Sequence, residues 1–160
     1  MKHWLLGIVF LGMATGIVSA TEAENNFGVG FALGDPSGIS AKILTSEMNA
    51  INLVMGYDVD PAPGDGDCCN DGRLYVGGDY VWYNYNLIPV SVGKLPLYYG
   101  PGVWASIANN SSIGIRAVLG LEYQFANAPF DMFLEIGPGI RIVPNTSGDV
   151  SAGLGARFFF

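Results

Sequence analysis

Few residues in this chain have the chemistry for catalysis or metal binding, and their positions narrow the choice further. The only histidine among the 160 residues is His3. Lys2 and His3 precede an apolar run from Trp4 to Ile17 and then Val18-Ser19-Ala20, a small-residue site of the A-x-A type. This is the pattern of a secretory signal peptide, so residues 1–20 are expected to be cleaved after Ala20, taking His3 with them. The alternative, a retained anchor helix, is disfavoured because the run falls short of the ~20 apolar residues a span needs. Residues 21–160 then lack imidazole, which excludes Ser-His-Asp and Cys-His mechanisms and histidine-ligated metals.

The remaining reactive groups are Cys68 and Cys69, in the acidic stretch Asp65-Gly66-Asp67-Cys68-Cys69-Asn70-Asp71-Gly72. Export favours a disulfide, but adjacent cysteines pair with each other only through a strained ring. Pairing with each other, pairing between molecules and free thiols all stay open. The stretch resembles a calcium loop, yet Cys69 stands where the third oxygen ligand of D-x-[DN]-x-[DN]-G belongs, so a solvated loop is the expectation and no metal is assigned. Asn109-Asn110-Ser111, Asn110-Ser111-Ser112 and Asn145-Thr146-Ser147 fit the glycosylation pattern and mark exposed turns.

Composition sets the class. Half of the residues are apolar, 13% are charged, and 23 are glycine, against averages of about 25% charged and ~7% glycine. Fourteen acids against seven bases leave no basic footprint for nucleic acid. The uncharged stretch Leu95–Ile115 is interrupted by Pro96, Pro101 and Asn109-Asn110-Ser111-Ser112, which rejects a transmembrane helix. Alternation with period two recurs instead, in eight segments at about 27–33, 38–44, 50–57, 74–83, 95–107, 113–125, 130–142 and 149–160. Such ribbons separated by turn residues predict an all-β, eight-stranded, antiparallel up-and-down barrel spanning residues 21–160. The long connection from Asp58 to Arg73 should lie at the end opposite the termini.

Every charge in the last three segments falls on one parity. The sixth reads Ile113, Ile115, Ala117, Leu119, Leu121, Tyr123 and Phe125 on one face, with Arg116 and Glu122 on the other. The glycines share the charged parity, and a narrow eight-stranded interior has room for small residues. The bulky parity is therefore expected to face hydrocarbon, and the barrel to be transmembrane. The competing phase, a soluble ligand-binding barrel, would turn the charges outward. Inside, Lys42, Arg116, Arg141 and Arg157 balance Asp79, Glu122, Asp131 and Glu135. A tight final hairpin with Ile142 opposite Val150 would set Glu135 across from Arg157, predicting an ion cluster of Glu122, Glu135 and Arg157. Buried charges are tolerable only when paired and hydrogen-bonded, so this cluster is expected to plug the lumen.

Aromatics on the outward parity near the termini, Phe27, Trp82, Tyr123, Phe125, Phe130, Phe158 and Phe160, match one interfacial girdle. Tyr57 and Tyr75 stand for the other. Gly100-Pro101-Gly102 and Gly137-Pro138-Gly139 are expected to mark bulges, because a closed barrel has no edge strand to shelter proline.

These features together resemble the small eight-stranded outer-membrane barrels of Gram-negative bacteria, similar to the OmpA membrane domain and OmpX. The ending Gly155-Ala156-Arg157-Phe158-Phe159-Phe160 resembles the family's assembly signal, carried by Gly155, Phe158 and Phe160; Gly153 stands where the family has a polar residue. Leu33-Gly34-Asp35-Pro36-Ser37-Gly38, Asp79-Tyr80-Val81-Trp82, Leu97-Tyr98-Tyr99-Gly100 and Leu119-Gly120-Leu121-Glu122-Tyr123 also resemble small bacterial barrels of unknown activity. The resemblance implies an exported outer-membrane protein whose partners are outer-membrane lipids and, during insertion, the barrel assembly machinery. A structural or interaction role without cofactor or catalysis is the leading expectation. A narrow small-solute pore, a lipid-modifying enzyme and a soluble periplasmic binding barrel are the alternatives.

Overall fold

The sheet closes on itself. In a computed structural model describing residues 26–58, 73–107 and 111–160, eight strands follow one another: β1 (Phe27–Asp35), β2 (Ser37–Ser46), β3 (Asn49–Asp58), β4 (Arg73–Asn84), β5 (Leu97–Ile107), β6 (Ser112–Gln124), β7 (Phe130–Val143) and β8 (Ser147–Phe159). Each pairs antiparallel with its chain neighbours, and β8 returns to β1 from Gly28↔Phe159 to Asp35↔Ala152. Closure leaves no unpaired edge. Residues 1–20, Cys68, Cys69 and the calcium-like stretch lie outside the described residues.

Period-two alternation reads directly as inside and outside. On β6, Ser112, Gly114, Arg116, Val118, Gly120 and Glu122 are buried, while Ile113, Ile115, Ala117 and Leu119 are exposed. Leu119, Leu134 and Leu154 all point outward, whereas Arg116 and Arg157 are enclosed. Among the described residues, the outward positions between the rims of the wall carry no charged side chain. The inner parity holds a mixed core in which Ala50, Val81, Tyr83, Tyr98, Val118 and Phe133 pack together.

Glycines make room for that core. Three inward aromatics each face a glycine across a rung: Tyr98↔Gly120 and Trp104↔Gly114 between β5 and β6, and Phe133↔Gly155 between β7 and β8. A Cβ on any of these glycines would overlap the opposing ring. Each ring therefore lies over the neighbouring strand's glycine, where two ordinary side chains would collide.

Three local expectations are corrected. The final hairpin pairs Asp131↔Arg157, Pro138↔Val150 and Arg141↔Ser147, so it centres on Pro144 and not on Thr146. Pro144 has no N–H for a ladder, and it fits the turn better than a rung. Relative to the expected register the pairing slides by an even step, so every side chain keeps its face, but Glu135 now opposes Gly153.

The prolines form no bulges. Asp79↔Gly102 and Trp82↔Tyr99 keep one register across Pro101, as do Arg116↔Gly139 and Leu119↔Ile136 across Pro138. Both hydrogen-bonding groups of an antiparallel residue point to the same neighbour. Each proline thus interrupts one ladder only, and Pro101↔Ala117 and Pro138↔Val150 stay paired on the other side. The actual register shifts fall at Leu44/Ser46 and Ile113/Gly114. Finally, Tyr75 is not part of an outer girdle. It shares the inward parity of Asp79, is 5% exposed, and stacks on Trp104 at 5.8 Å.

The β1–β2 turn rests on Gly34, whose φ of +132° is open to glycine alone in practice. Its N–H donates to Ser37 Oγ at 3.0 Å, and Ser37 Oγ donates to the Gly34 carbonyl at 2.7 Å. Gly34→Ala is expected to lower stability by about 1–3 kcal/mol, measured as a shifted urea midpoint with an unchanged slope.

Candidate functional site: the charged lumen

Five strands contribute charges to the axis, and the register sorts them into two tiers. The tier nearer the termini gathers Lys42 from β2, Glu122 from β6, Asp131 from β7 and Arg157 from β8, all essentially without solvent exposure. Arg157 is the hub. Its Nη2 donates to Glu122 Oε2 at 2.9 Å, its Nε to Asp131 Oδ1 at 3.1 Å and its Nη1 to Asn52 Oδ1 at 3.3 Å. Its guanidinium lies 4.2 Å from the centre of the Phe133 ring. Lys42 Nζ donates to Glu122 Oε1 and stands 3.5 Å from Asp131 Oδ2. The Tyr83 hydroxyl donates to Glu122 Oε2 at 3.0 Å, and Gln124 Nε2 to Glu122 Oε1 at 2.8 Å. Two cations meet two anions, and Glu122 alone accepts four hydrogen bonds.

The second tier lies further along the axis. Arg116 grips Asp79 in a two-pronged contact, Nε to Oδ1 at 2.8 Å and Nη2 to Oδ2 at 2.6 Å, the strong planar geometry of guanidinium and carboxylate. Its Nη1 donates to Ser151 Oγ at 3.2 Å. Glu135 approaches from the side, 3.8 Å from Arg116 Nη2, and accepts from the Tyr98 hydroxyl at 2.7 Å. Gly102 gives Asp79 its space, since a Cβ there would strike the carboxylate.

Seven of the eight charges expected on the inner parity thus fall in these two tiers, with one rearrangement. Glu135 joins Arg116 and Tyr98, not Arg157, because the shorter final hairpin brings Asp131 opposite Arg157 in its place. Arg141 is the eighth. It sits beyond both tiers, paired in register with Ser147, and its Nε has no hydrogen-bond partner among the described residues. Asn52, Tyr83, Tyr98, Gln124 and Ser151 complete the network and were not singled out in the sequence. Their signal was available: each shares the parity of the charge on its own strand or of that charge's rung partner.

At the termini end, a cavity of about 1270 Å³ leads inward to Lys42 and Asp131. The segment between β4 and β5 walls it, pinned to β6 by paired hydrogen bonds between Lys94 and Gln124 and by the Tyr123 hydroxyl donating to the Val92 carbonyl at 3.0 Å. Gly93, at φ +74°, makes the bend that this requires. Around the same rim Phe27, Trp82, Phe125, Phe158 and Phe160 are exposed. Phe158 and Phe160 meet edge to face at 5.2 Å, and the Phe160 amide donates to the Phe27 carbonyl at 2.9 Å. Gly155 faces Phe133 inside.

Most of these polar groups satisfy one another, while Asn52 Nδ2, Asp131 Oδ2 and Arg141 Nε have no hydrogen-bond partner among the described residues. The Ser151 hydroxyl donates to the Gly137 carbonyl at 3.1 Å and faces Arg116, not a base. Among the described residues, no three His, Cys, Asp or Glu side chains gather as metal ligands would.

No family model and no curated protein matches the sequence. Among solved structures, the fold matches the N-terminal β-barrel domain of Pseudomonas aeruginosa OprF. The TM-score is 0.56 at 15% identity, over 84% of this chain and 95% of that one. At that identity the likeness establishes the fold: an eight-stranded barrel of the OprF kind.

Breaking one member of a buried pair strands its partner, whereas replacing both by apolar groups removes the desolvation cost as well. Arg116→Met is therefore expected to cost about 3–5 kcal/mol, and Arg116→Met with Asp79→Leu to recover most of that loss, in a double-mutant cycle read by equilibrium unfolding.

Proposed function

We propose that this protein is an integral outer-membrane β-barrel whose lumen is plugged by paired charges, and that its role is structural or interactive and not catalytic. The observation that carries the reading is the sorting of side chains by phase. Between the rims, the outward face of all eight strands is uncharged among the described residues, and large apolar side chains such as Phe31, Ile39, Met55, Val103, Leu134 and Val150 are more than half exposed. A wall of this kind is stable against hydrocarbon, where a closed barrel also satisfies every strand's backbone, and is a severe liability in water. The rim aromatics support the same setting, since amphipathic rings favour the bilayer interface.

The other elements of the reading follow from the sequence. Residues 1–20 act as a signal peptide. Gly155, Phe158 and Phe160 serve as the assembly signal read by the barrel assembly machinery, and the lasting partners are outer-membrane lipids. The two tiers and the core around Val81, Tyr98, Val118 and Phe133 fill the axis, which supports a plugged lumen. One observation favours a narrow pore instead, the cavity at the termini end, but it stops at Lys42 and Asp131, where the first tier begins.

Cell fractionation with a gel-mobility shift on heating tests the setting. The protein should partition with the outer membrane and run faster unheated than heated; a soluble protein without a heat shift would refute the proposal. Leu134→Arg, near mid-wall, should cost about 2–4 kcal/mol in lipid vesicles, and equal stability of the variant would count against a lipid-facing wall. In planar bilayers the wild type should pass no current, and a steady ohmic conductance would replace the plug with the pore.

A further inference from the structure

The outer wall carries one recess whose shape follows from its rungs. Across β5, β6 and β7 the outward residues form rows: Val103, Ile115 and Ile140 in one, Tyr99, Leu119 and Ile136 in another. Between them Pro101 pairs with Ala117, and the register of β6 with β7 brings Pro138 to the same height. Two flat rings and a methyl group make a low row beside the tall row of Tyr99, Leu119 and Ile136. The two rows enclose a recess of about 410 Å³, lined by backbone and side chains of nine residues and ending at Trp82 and Tyr99. Its apolar floor is also where the ladders are thinnest, because Pro101 has no N–H for β4 and Pro138 has none for β6.

We infer that this recess seats one acyl chain of a phospholipid from the leaflet on the termini side; the inference rests on the outer-membrane reading above. The lining is apolar throughout its mid-wall part, and the only side-chain polar groups are the Trp82 indole and the Tyr99 hydroxyl at the end nearest the termini. Rings with one polar handle settle at headgroup depth. That places the headgroup beside Trp82 and Tyr99 and runs the chain from there to Pro101 and Pro138. Trp82 and Tyr99 stand 6.1 Å apart and form one side of the entrance. A second copy of the barrel is the weaker occupant: nine lining residues fall well short of the roughly 20–30 a side that a stable protein interface uses.

Trp82 supplies the probe. Residues 21–160 contain two tryptophans, Trp82 on the outer wall and Trp104 enclosed in the lumen. The full barrel, held in detergent micelles free of phospholipid, is titrated with a phospholipid brominated at mid-chain, a short-range quencher. Trp82 fluorescence should fall saturably, with the plateau reached at about one lipid per barrel, and Trp82→Phe should abolish that component. Ala117→Phe fills the low row, removing contacts worth about two buried methylenes, and should weaken the apparent affinity roughly tenfold; Ile39→Phe on the far wall should leave it unchanged.

Quenching that rises without saturation, or that is equal in wild type and Ala117→Phe, would overturn the inference. So would chemical crosslinking that joins two barrels through this face and is prevented by Ala117→Phe. If Ala117→Phe fails to fold, the wild-type stoichiometry and Trp82→Phe decide the matter. Failure of the outer-membrane reading would look different, as a protein soluble without detergent and lacking the heat shift, whereas failure of the recess alone leaves both intact.

Discussion

A charge on a closed wall of eight strands has two places to go, and among the described residues every mid-wall charge goes inward. The lumen is too narrow to hold a charge with its hydration shell, so a buried charge must find its counter-charge on another strand. That constraint explains why each ion pair joins two different strands, and why Arg157 bonds to β3, β6 and β7 at once. It also explains the uncharged partners of the ions. Tyr83, Tyr98, Gln124 and Ser151 take up the lone pairs and N–H groups that ion pairing leaves over, which is the condition under which buried ions are tolerated.

The same narrowness governs the apolar part of the lumen. Tyr98, Trp104 and Phe133 fit inside because the rung partner on the neighbouring strand is glycine. A glycine-rich sequence is usually a loose one, since glycine loses most backbone freedom on folding. In this barrel the ladder fixes the backbone, and the missing side chain is filled by a ring from the neighbouring strand. Proline fits the scheme for a related reason. A residue in an antiparallel strand bonds to one side only, so Pro101 and Pro138 each interrupt a single ladder and leave the barrel closed. The low outer row that they form with Ala117 is a by-product of that placement.

Much of this was legible in advance because a strand's period is fixed. Eight ribbons and their order follow from alternation, and the facing of Arg116, Glu122, Asp131 and Arg157 from alternation together with the glycines that share their parity. Tyr75 follows the same alternation, sharing the parity of Asp79 and lying with it inside. The likeness to the OprF barrel agrees with the strand count that alternation alone supplied.

Which charge meets which was a different matter. The sequence determined the set of inward charges and their neutrality, because parity survives any even slide of one strand along its neighbour. Only the closed sheet decided the partners. A hairpin centred on Pro144 and not on Thr146 moves β8 along β7, brings Asp131 to Arg157, sends Glu135 to Arg116 and Tyr98, and leaves Arg141 beyond both tiers. Register depends on turn geometry and on closure between β1 and β8, which are properties of the whole ring; facing depends on residue spacing along one strand, which is written in the chain.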